Sequence, residues 1–189
     1  MKTEIKIIKF LLVGRKNCTI REISAGIKSD YKITHTAVQQ LLKKGVLESK
    51  KVGQSSQISL TNKLTKDVYE AEDERRQELL RKSDFKVLFS YLNDLKFQFI
   101  ALVFGSYVKG TATKHSDIDL MIVCEKERKK PVESKISLLS IDIHLQIFTY
   151  DEFLQMAKSR EFTVVSEAMK NRTILMGIED YYRLVEDVR

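Results

Sequence analysis

Two aspartates, Asp117 and Asp119, stand two residues apart in the chain and follow a Gly105-Ser106 pair after an interval of ten residues. The residues from Ile118 to Val123 are apolar apart from Asp119 and predict a β-strand. Because side chains two apart in a strand point to the same face, both carboxylates should project together. Like charges repel, so this placement requires a compensating cation.

A third carboxylate, Asp142, can join this pair from a later strand. The segment LLSIDIHLQIFT, residues 138–149, alternates with a period of two and places Asp142 and His144 on one polar face. Three carboxylates that converge without an arginine are costly unless divalent cations neutralise them, and magnesium is usually held by carboxylates together with substrate phosphates. We therefore predict metal-binding and catalytic roles for Asp117, Asp119 and Asp142. His144 is placed to orient Asp142, and a structural role for this histidine fits the pattern equally well.

The Gly105-Ser106 turn supplies groups that bind phosphate. Gly105 lets the backbone approach an anion closely, and Ser106 offers a hydroxyl and an N–H at the expected start of a helix. Lys109 brings a positive charge nearby, and Ser116 immediately precedes the aspartates. We predict that Gly105, Ser106, Lys109 and Ser116 bind a nucleoside triphosphate.

These residues carry a specific family resemblance. The stretch GSYVKGTATKHSDIDLMIV resembles the minimal nucleotidyltransferases, in which a motif of the form GSxARGxA…SDxDL is common, and more broadly the superfamily that includes DNA polymerase beta. The similarity extends over residues 84–189. It implies a mixed sheet with flanking helices, magnesium or manganese, an NTP donor such as ATP, and catalytic carboxylates at Asp117, Asp119 and Asp142.

The resemblance also implies a reaction and a partner. In two-metal chemistry one ion orients the triphosphate, and the second lowers the pKa of an acceptor hydroxyl, here near Asp142. The acceptor in the minimal family is a protein, often a HEPN-type toxin for which the transferase is the antitoxin. The chain departs from the family at Val108 and Lys109, where alanine and arginine are common. Lysine keeps the charge but lacks the planar fork that grips phosphate bidentately.

The first part of the chain is basic. Residues 1–66 hold 14 lysines and arginines against 4 acidic residues, whereas the rest of the chain has a net charge of −3. Three short helical patterns, followed by two predicted strands around a glycine turn, resemble a winged helix-turn-helix DNA-binding domain over residues 4–61. A basic face concentrates polyanions, so double-stranded DNA is the first partner to consider.

The exposed side of the third predicted helix and the hairpin after it carry the residues that we assign to DNA. They are Thr36, Gln39, Gln40, Lys43, Lys44, Lys50 and Lys51. Amides and hydroxyls reach base edges in a major groove, and lysines contact phosphates. An ordinary solvated helix face has the same composition, and such domains also bind proteins or form homodimers.

The patterns together predict an α+β protein with three parts: a winged helix-turn-helix domain over residues 1–61, a solvated linker helix over 62–83 and a nucleotidyltransferase domain over 84–189. The charged run from Glu125 to Pro131 is interpreted as a loop. No apolar run approaches the roughly 20 residues that span a bilayer, so no membrane segment is expected. The two cysteines lie far apart in sequence, which favours reduced thiols in the cytoplasm.

Two functions are consistent with the sequence. The first is a magnesium-dependent nucleotidyltransferase that moves a nucleoside monophosphate from an NTP to a hydroxyl of a partner protein, with a basic domain that binds DNA. The second is a DNA-binding transcriptional regulator whose transferase fold serves as a nucleotide sensor or a dimerisation unit. The presence of Asp117, Asp119 and Asp142 favours the first.

Overall fold

A computed structural model describes residues 2–14, 17–159, 161–186 and 188 of the chain. The chain divides into two compact units, Met1–Asp73 and Glu74–Arg189. None of the helices in the described ranges is both long and apolar enough to cross a bilayer. The three domain ranges drawn from the sequence stay predictions.

The first unit contains three helices followed by a two-stranded antiparallel sheet and the start of a fourth helix. These elements are α1 (Thr3–Leu12), α2 (Ile20–Gly26), α3 (Tyr31–Lys43), β1 (Leu47–Val52), β2 (Ser55–Leu60) and α4 (Lys66–Leu79). The predicted apolar stripes face inward: Ile5 and Ile8 of α1, Ile23 of α2, and Val38 and Leu41 of α3 are buried. The unit therefore has its own hydrophobic core.

Local signals fix where the helices of the first unit begin and end. Thr19 and Glu22 form the predicted capping box at the start of α2, with both reciprocal hydrogen bonds present. Gly45, with a φ of 69°, ends α3 as predicted. The N–H groups of Gly45 and Val46 donate to carbonyls of the last turn of α3 at 3.0 Å. An isolated antiparallel bridge also pairs Cys18 with Ile58 of β2.

Helix α4 differs from the solvated linker helix that the sequence predicted. Val68, Ala71, Glu72 and Arg75 are buried, although the segment is polar almost throughout. The prediction failed because opposite charges spaced four residues apart are typical of an exposed helix. Here the face that contains these four residues is buried, two of them charged. The division between the two compact units falls inside this helix.

The second unit is built around a four-stranded sheet. Its remaining helices are α5 (Ser83–Asn93), α6 (Ser106–Lys109), α7 (Lys129–Ile136), α8 (Tyr150–Lys158), α9 (Val164–Lys170) and α10 (Ile178–Val185), with a 3₁₀ turn at Lys126–Arg128. Its strands are β3 (Ile100–Phe104), β4 (Ile118–Val123), β5 (Ile143–Phe148) and β6 (Thr173–Met176). The strand order is β5-β4-β3-β6, with β4 and β5 parallel and the other pairs antiparallel. This mixed sheet with flanking helices agrees with the α+β class predicted.

Both faces of the central strand β3 are covered, since all five of its residues are buried. Helices α5 and α7 pack on the face formed by residues such as Val103 and Leu120, while α9 and α10 contact β3. The predicted apolar face of β5 packs into the same core as Leu120, through Ile143, Leu145 and Ile147. The opposite face of β5 is therefore the one that carries His144.

The interpretation of residues 125–131 as a loop is wrong. A 3₁₀ turn followed directly by α7 occupies most of this run, and Pro131 is the third residue of that helix. Proline is tolerated in the first turn because the N–H groups there have no partner within the helix. Val132 and Ile136 supply the buried face of the helix, which the charged residues in front of it obscured.

An exposed ion pair at the start of α8 gives a testable pH dependence. Lys129 donates to Glu152 Oε2 at 2.8 Å, and the Thr149 N–H donates to the same oxygen at 2.7 Å. Lys129 and the Thr149 N–H together lower the pKa of Glu152 from its ordinary 4.5 to about 2. The folded-state pKa is thus depressed, so this carboxylate contributes its stability above about pH 4.5 and loses it as the pH falls through about 2.

We expect a carboxyl ¹³C NMR titration to give Glu152 a midpoint near 2, and Lys129→Met to move that midpoint up towards 4.5. Lys130→Met, which removes the neighbouring exposed charge, should leave it almost unchanged. A wild-type midpoint near 4.5 would show that neither hydrogen bond persists in solution.

Candidate active site

The turn between β3 and α6 is built from residues with special backbone requirements. Gly105 has φ 69° and ψ −144°, a conformation that is essentially restricted to glycine. Ser106 begins α6 and is half-buried. Its hydroxyl has no hydrogen-bond partner among the residues that the structure describes. The turn therefore presents an unused hydroxyl beside a glycine backbone, which is suited to contact an anion.

Asp119 lies directly against this turn. It is paired with Phe104 across the antiparallel strands β3 and β4, so the carboxylate projects beside the end of β3. A Cβ atom added to Gly105 would overlap Asp119 Oδ2. Glycine is therefore required at position 105 for two reasons, its backbone conformation and the space that the Asp119 carboxylate occupies.

The strand register brings Asp117 and Asp142 to the same end of the sheet. Ile118 and Ile143 are partners in the parallel pair β4-β5, and the Ile118 N–H donates to the Asp142 carbonyl at 2.9 Å. Asp117 and Asp142 each precede one of these partners, so they are neighbours in register. Both are exposed, and within the described ranges neither carboxylate has an ion-pair partner. The end of the sheet thus has acidic groups that no lysine or arginine neutralises.

His144 contacts Asp119 rather than Asp142. The two residues are partners in the β4-β5 register, and His144 Nδ1 lies 3.2 Å from Asp119 Oδ1. The sequence placed His144 on the face of Asp142, which the register supports. The sequence did not show that the histidine lies directly opposite Asp119, because the offset between two strands is not encoded in either strand alone.

The carboxylates do not form a complete metal-binding site by themselves. Among the residues that the structure describes, no group of three histidine, cysteine or acidic side chains is close enough to hold a metal ion. Magnesium in nucleotide enzymes is usually held by one or two carboxylates, with phosphate oxygens and water completing the octahedron. The donor set of Asp117 and Asp119, with Asp142 beside them, fits a divalent ion that arrives with its nucleotide.

Lys109, predicted to bind the nucleotide, has another partner in the structure. Its Nζ lies 2.7 Å from Glu167 Oε1, so the lysine at the end of α6 is tied to α9. A carboxylate at this distance competes with a phosphate for the ammonium group. Lys114, in the loop between α6 and β4, is exposed.

Ser116 holds the loop before the aspartates. Its Oγ accepts the Thr113 N–H at 2.9 Å, and its carbonyl accepts the Tyr107 hydroxyl at 3.1 Å. The Tyr107 ring packs edge-on against Phe85 of α5. These contacts connect the loop to the core, so Ser116 helps to position the adjacent Asp117. The predicted contact of Ser116 with a nucleotide stays a prediction.

A cavity lies at the end of the four-stranded sheet opposite to the end that carries Asp117, Asp119 and Asp142. It has a volume of about 690 Å³ and is lined by residues that include Phe97, Gln98, Glu125, Arg128, Tyr150 and Asp180. Glu125 follows the last residue of β4, whereas Asp119 lies near the first. Asp180 Oδ1 accepts a hydrogen bond from Gln98 Nε2 at 2.7 Å and lies 3.5 Å from Arg183 Nη1. This cavity is therefore separate from Asp117, Asp119 and Asp142.

In the first unit, the residues assigned to DNA are all exposed. Lys44 differs from the others because its Nζ lies 2.7 Å from Asp67 Oδ2, and this contact raises the pKa of Lys44. The Thr36 hydroxyl donates to the Lys32 carbonyl of the preceding turn at 3.0 Å. The contact between Lys44 and Asp67 could not be found from the helical pattern alone, since Asp67 lies 23 residues further along the chain.

A polar groove of about 440 Å³ runs between α3, the start of α2 and the β-hairpin. Gln39 lines it, together with Arg21, His35, Ser55 and Ser56, and no acidic residue is among its lining residues. Arg21 and His35 were missed by the sequence analysis, which followed the face of α3 that contains Thr36, Gln40 and Lys43. The signal that could have found them is spacing, because His35 and Gln39 are four residues apart on one helix face.

Comparison with known proteins gives one match. The family model described as the nucleotidyltransferase domain matches residues 92–175. This range contains the Gly105-Ser106 turn, Asp117, Asp119 and Asp142, and it agrees with the nucleotidyltransferase resemblance found in the sequence. No curated protein and no solved structure matches the chain significantly. Residues 92–175 are therefore similar to a nucleotidyltransferase domain, which supports a transferase without specifying its reaction.

Proposed function

We propose that this chain is a magnesium-dependent nucleotidyltransferase that transfers a nucleoside monophosphate from an NTP to a hydroxyl group of a partner protein, while its basic unit binds DNA. The observation that carries the proposal is the position of Asp119, whose carboxylate lies against the Gly105-Ser106 turn. Asp117 and Asp142 lie at the same end of the sheet, and neither has a cationic partner in the part of the chain that the structure describes. The match to the nucleotidyltransferase domain supports the same reading.

Each residue has a role that follows from its place. The Ser106 hydroxyl donates to a phosphate oxygen of the NTP, and the missing side chain at Gly105 leaves room for the Asp119 carboxylate beside that turn. Asp117 and Asp119 would hold a divalent ion, which would neutralise charge on the triphosphate and on the pyrophosphate that leaves as the acceptor oxygen bonds to the α-phosphorus, and would lower the pKa of the acceptor hydroxyl. Asp142, on the neighbouring strand and exposed, accepts the proton of the acceptor. Positioning and electrostatics supply most of the catalysis, because such transfers need little covalent help.

The nature of the acceptor follows from the resemblance to minimal nucleotidyltransferases. In that family the acceptor is a protein, often a HEPN-type toxin, and the transferase acts as its antitoxin. The exposed position of Asp142 fits an acceptor that approaches from solvent. ATP is the donor that we propose first.

The test is transfer of a labelled nucleotide. Wild-type protein should transfer label from α-³²P ATP, with magnesium or manganese, to a co-purified partner or to the product of a neighbouring gene. Asp142→Asn should abolish transfer while changing NTP affinity only a few-fold, because Asp142 serves the acceptor. Asp151→Asn, which removes an exposed aspartate from the first turn of α8, is the control and should transfer normally.

A second function is a nucleotide sensor that does not catalyse transfer. Such a sensor does not need three assembled metal ligands, and no group of three possible ligands is assembled in the described residues. In that case the chain is a DNA-binding regulator. Wild-type protein that binds NTP and changes its DNA affinity, but transfers no label to any of these acceptors, would replace the transferase proposal with this one.

The DNA interface is proposed to be the groove and the basic face around it. If Lys43, Lys50 and Lys51 contact phosphates, the logarithm of duplex affinity should fall with log salt by about 0.9 for each contact. Replacing these three lysines by alanine should therefore flatten the slope by up to roughly 3. Lys44→Ala should change the slope less, because Asp67 already holds this ammonium group. Equal salt slopes for wild type and the triple variant would move this unit to a protein-binding role.

A further inference from the structure

The histidine beside Asp119 is the feature of the site that neither the sequence motif nor the matched domain assigns. His144 lies opposite Asp119 in the parallel register of β4 and β5, and its Nδ1 is 3.2 Å from Asp119 Oδ1. The imidazole is 57% exposed, whereas the aspartate side chain is 24% exposed. The contact is therefore made at the rim of the site and can be reached from solvent.

The other oxygen of the same carboxylate lies beside the backbone of Gly105. Asp119 Oδ2 occupies the space in which a side chain at position 105 would lie. The carboxylate is thus enclosed between the β5 histidine on one side and the end of β3 on the other. Rotation of the carboxylate about its last bond would break the contact between Oδ1 and His144 Nδ1.

The chemistry of the two groups fixes the direction of the hydrogen bond. An ionised carboxylate only accepts hydrogen bonds, so the Nδ1 atom of His144 must carry the proton that it shares with Asp119. Oδ1 is then engaged, and Oδ2 is the oxygen presented to the Gly105-Ser106 turn. Asp117 and Asp142 have no comparable donor among the described residues.

We propose that His144 is a positioning residue, which holds Asp119 by the Nδ1–H···Oδ1 hydrogen bond so that Oδ2 points at the divalent ion of a metal-bound nucleoside triphosphate. This inference rests on the metal-nucleotide site of the proposed function. A donor outside the ligand shell that orients a metal-binding group commonly changes metal affinity by about 10-fold to 100-fold. His144 gives this chain such a donor on a strand that already carries Asp142.

The test measures NTP affinity by calorimetry with magnesium and again with EDTA. His144→Ala should weaken magnesium-dependent ATP binding by about 10-fold or more and leave the affinity in EDTA unchanged. His144→Asn should restore most of the loss, because its amide nitrogen replaces Nδ1 as donor. His115→Ala removes an exposed loop imidazole whose side chain has no partner in the described residues, and this control should bind as wild type.

Two outcomes separate this inference from the function on which it rests. Magnesium-dependent binding in wild type that is equal in His144→Ala would overturn the role of His144 and leave the proposed function standing. Wild-type protein without any magnesium-dependent binding would overturn the proposed function, and the role of His144 with it.

The hydrogen bond itself has a measurement that needs no nucleotide. Long-range ¹H–¹⁵N NMR, recorded about two units above the ordinary imidazole pKa of about 6.5, should show His144 with its proton on Nδ1. Asp119→Asn should remove that preference. A wild-type His144 with its proton on Nε2 would overturn the proposal, because Nδ1 could then not donate to Asp119.

Discussion

Asp117→Asn combined with Asp119→Asn is expected to abolish magnesium-dependent binding of ATP. Asparagine keeps the size of each side chain but removes two negative charges, so the ion loses the carboxylate oxygens that this site offers. Loss of metal ligands should cost more than the 10-fold to 100-fold that is typical of residues outside the ligand shell. The measurement is calorimetry with magnesium, with the EDTA titration as the baseline.

The matched control removes two aspartates from helices of the same unit. Asp84→Asn with Asp151→Asn changes the first turns of α5 and α8 and lowers the negative charge by the same amount. This control should bind ATP as wild type does. If the double variant at Asp117 and Asp119 also keeps wild-type affinity in magnesium, the carboxylates do not hold the ion.

Gly105→Ala is expected to have the second-largest effect, on both stability and nucleotide binding. The backbone at position 105 is in a region that only glycine adopts readily, and the added Cβ would overlap the carboxylate of Asp119. Either the turn or Asp119 must move, so the melting temperature should fall and magnesium-dependent ATP binding should be lost. Thermal unfolding and calorimetry measure the two effects separately.

Gly110→Ala is the matched control for that substitution. Gly110 also has a positive φ, 74°, but a Cβ there would meet no atom within 4 Å. Gly110→Ala should therefore lower the free energy of unfolding only by the cost of the left-handed backbone conformation, about 1 to 2 kcal/mol, and leave ATP affinity intact. If Gly105→Ala and Gly110→Ala behave alike, the contact between Gly105 and Asp119 has no consequence for the site.

The sequence could predict the parts of the site that depend on local periodicity. The spacing of Asp117 and Asp119 predicted both on one face of a strand; β4 begins at Ile118, so Asp119 lies in the strand and Asp117 directly precedes it. The alternation in β5 separated the buried face from the face with His144. Capping at Thr19 and helix termination at Gly45 were equally local and are present.

The contacts that modify the site could not be predicted, because they join residues far apart in the chain. Lys109 meets Glu167 across 58 residues, and His144 meets Asp119 across 25. Strand register and helix packing decide such pairs, and a single sequence gives neither. Helix α7 was missed for a different reason, since a charged run with a proline resembles a loop unless Val132 and Ile136 are recognised as its buried face.

A crystal structure of the protein with manganese and a non-hydrolysable ATP analogue tests the central claim most directly. Manganese replaces magnesium at oxygen-ligand sites and can be located by its anomalous scattering. The proposed function predicts an anomalous peak within coordination distance of Asp117 and Asp119, with the triphosphate against Ser106. Nucleotide bound instead in the cavity between Phe97 and Tyr150, at the other end of the sheet, with no peak at the aspartates, would contradict it.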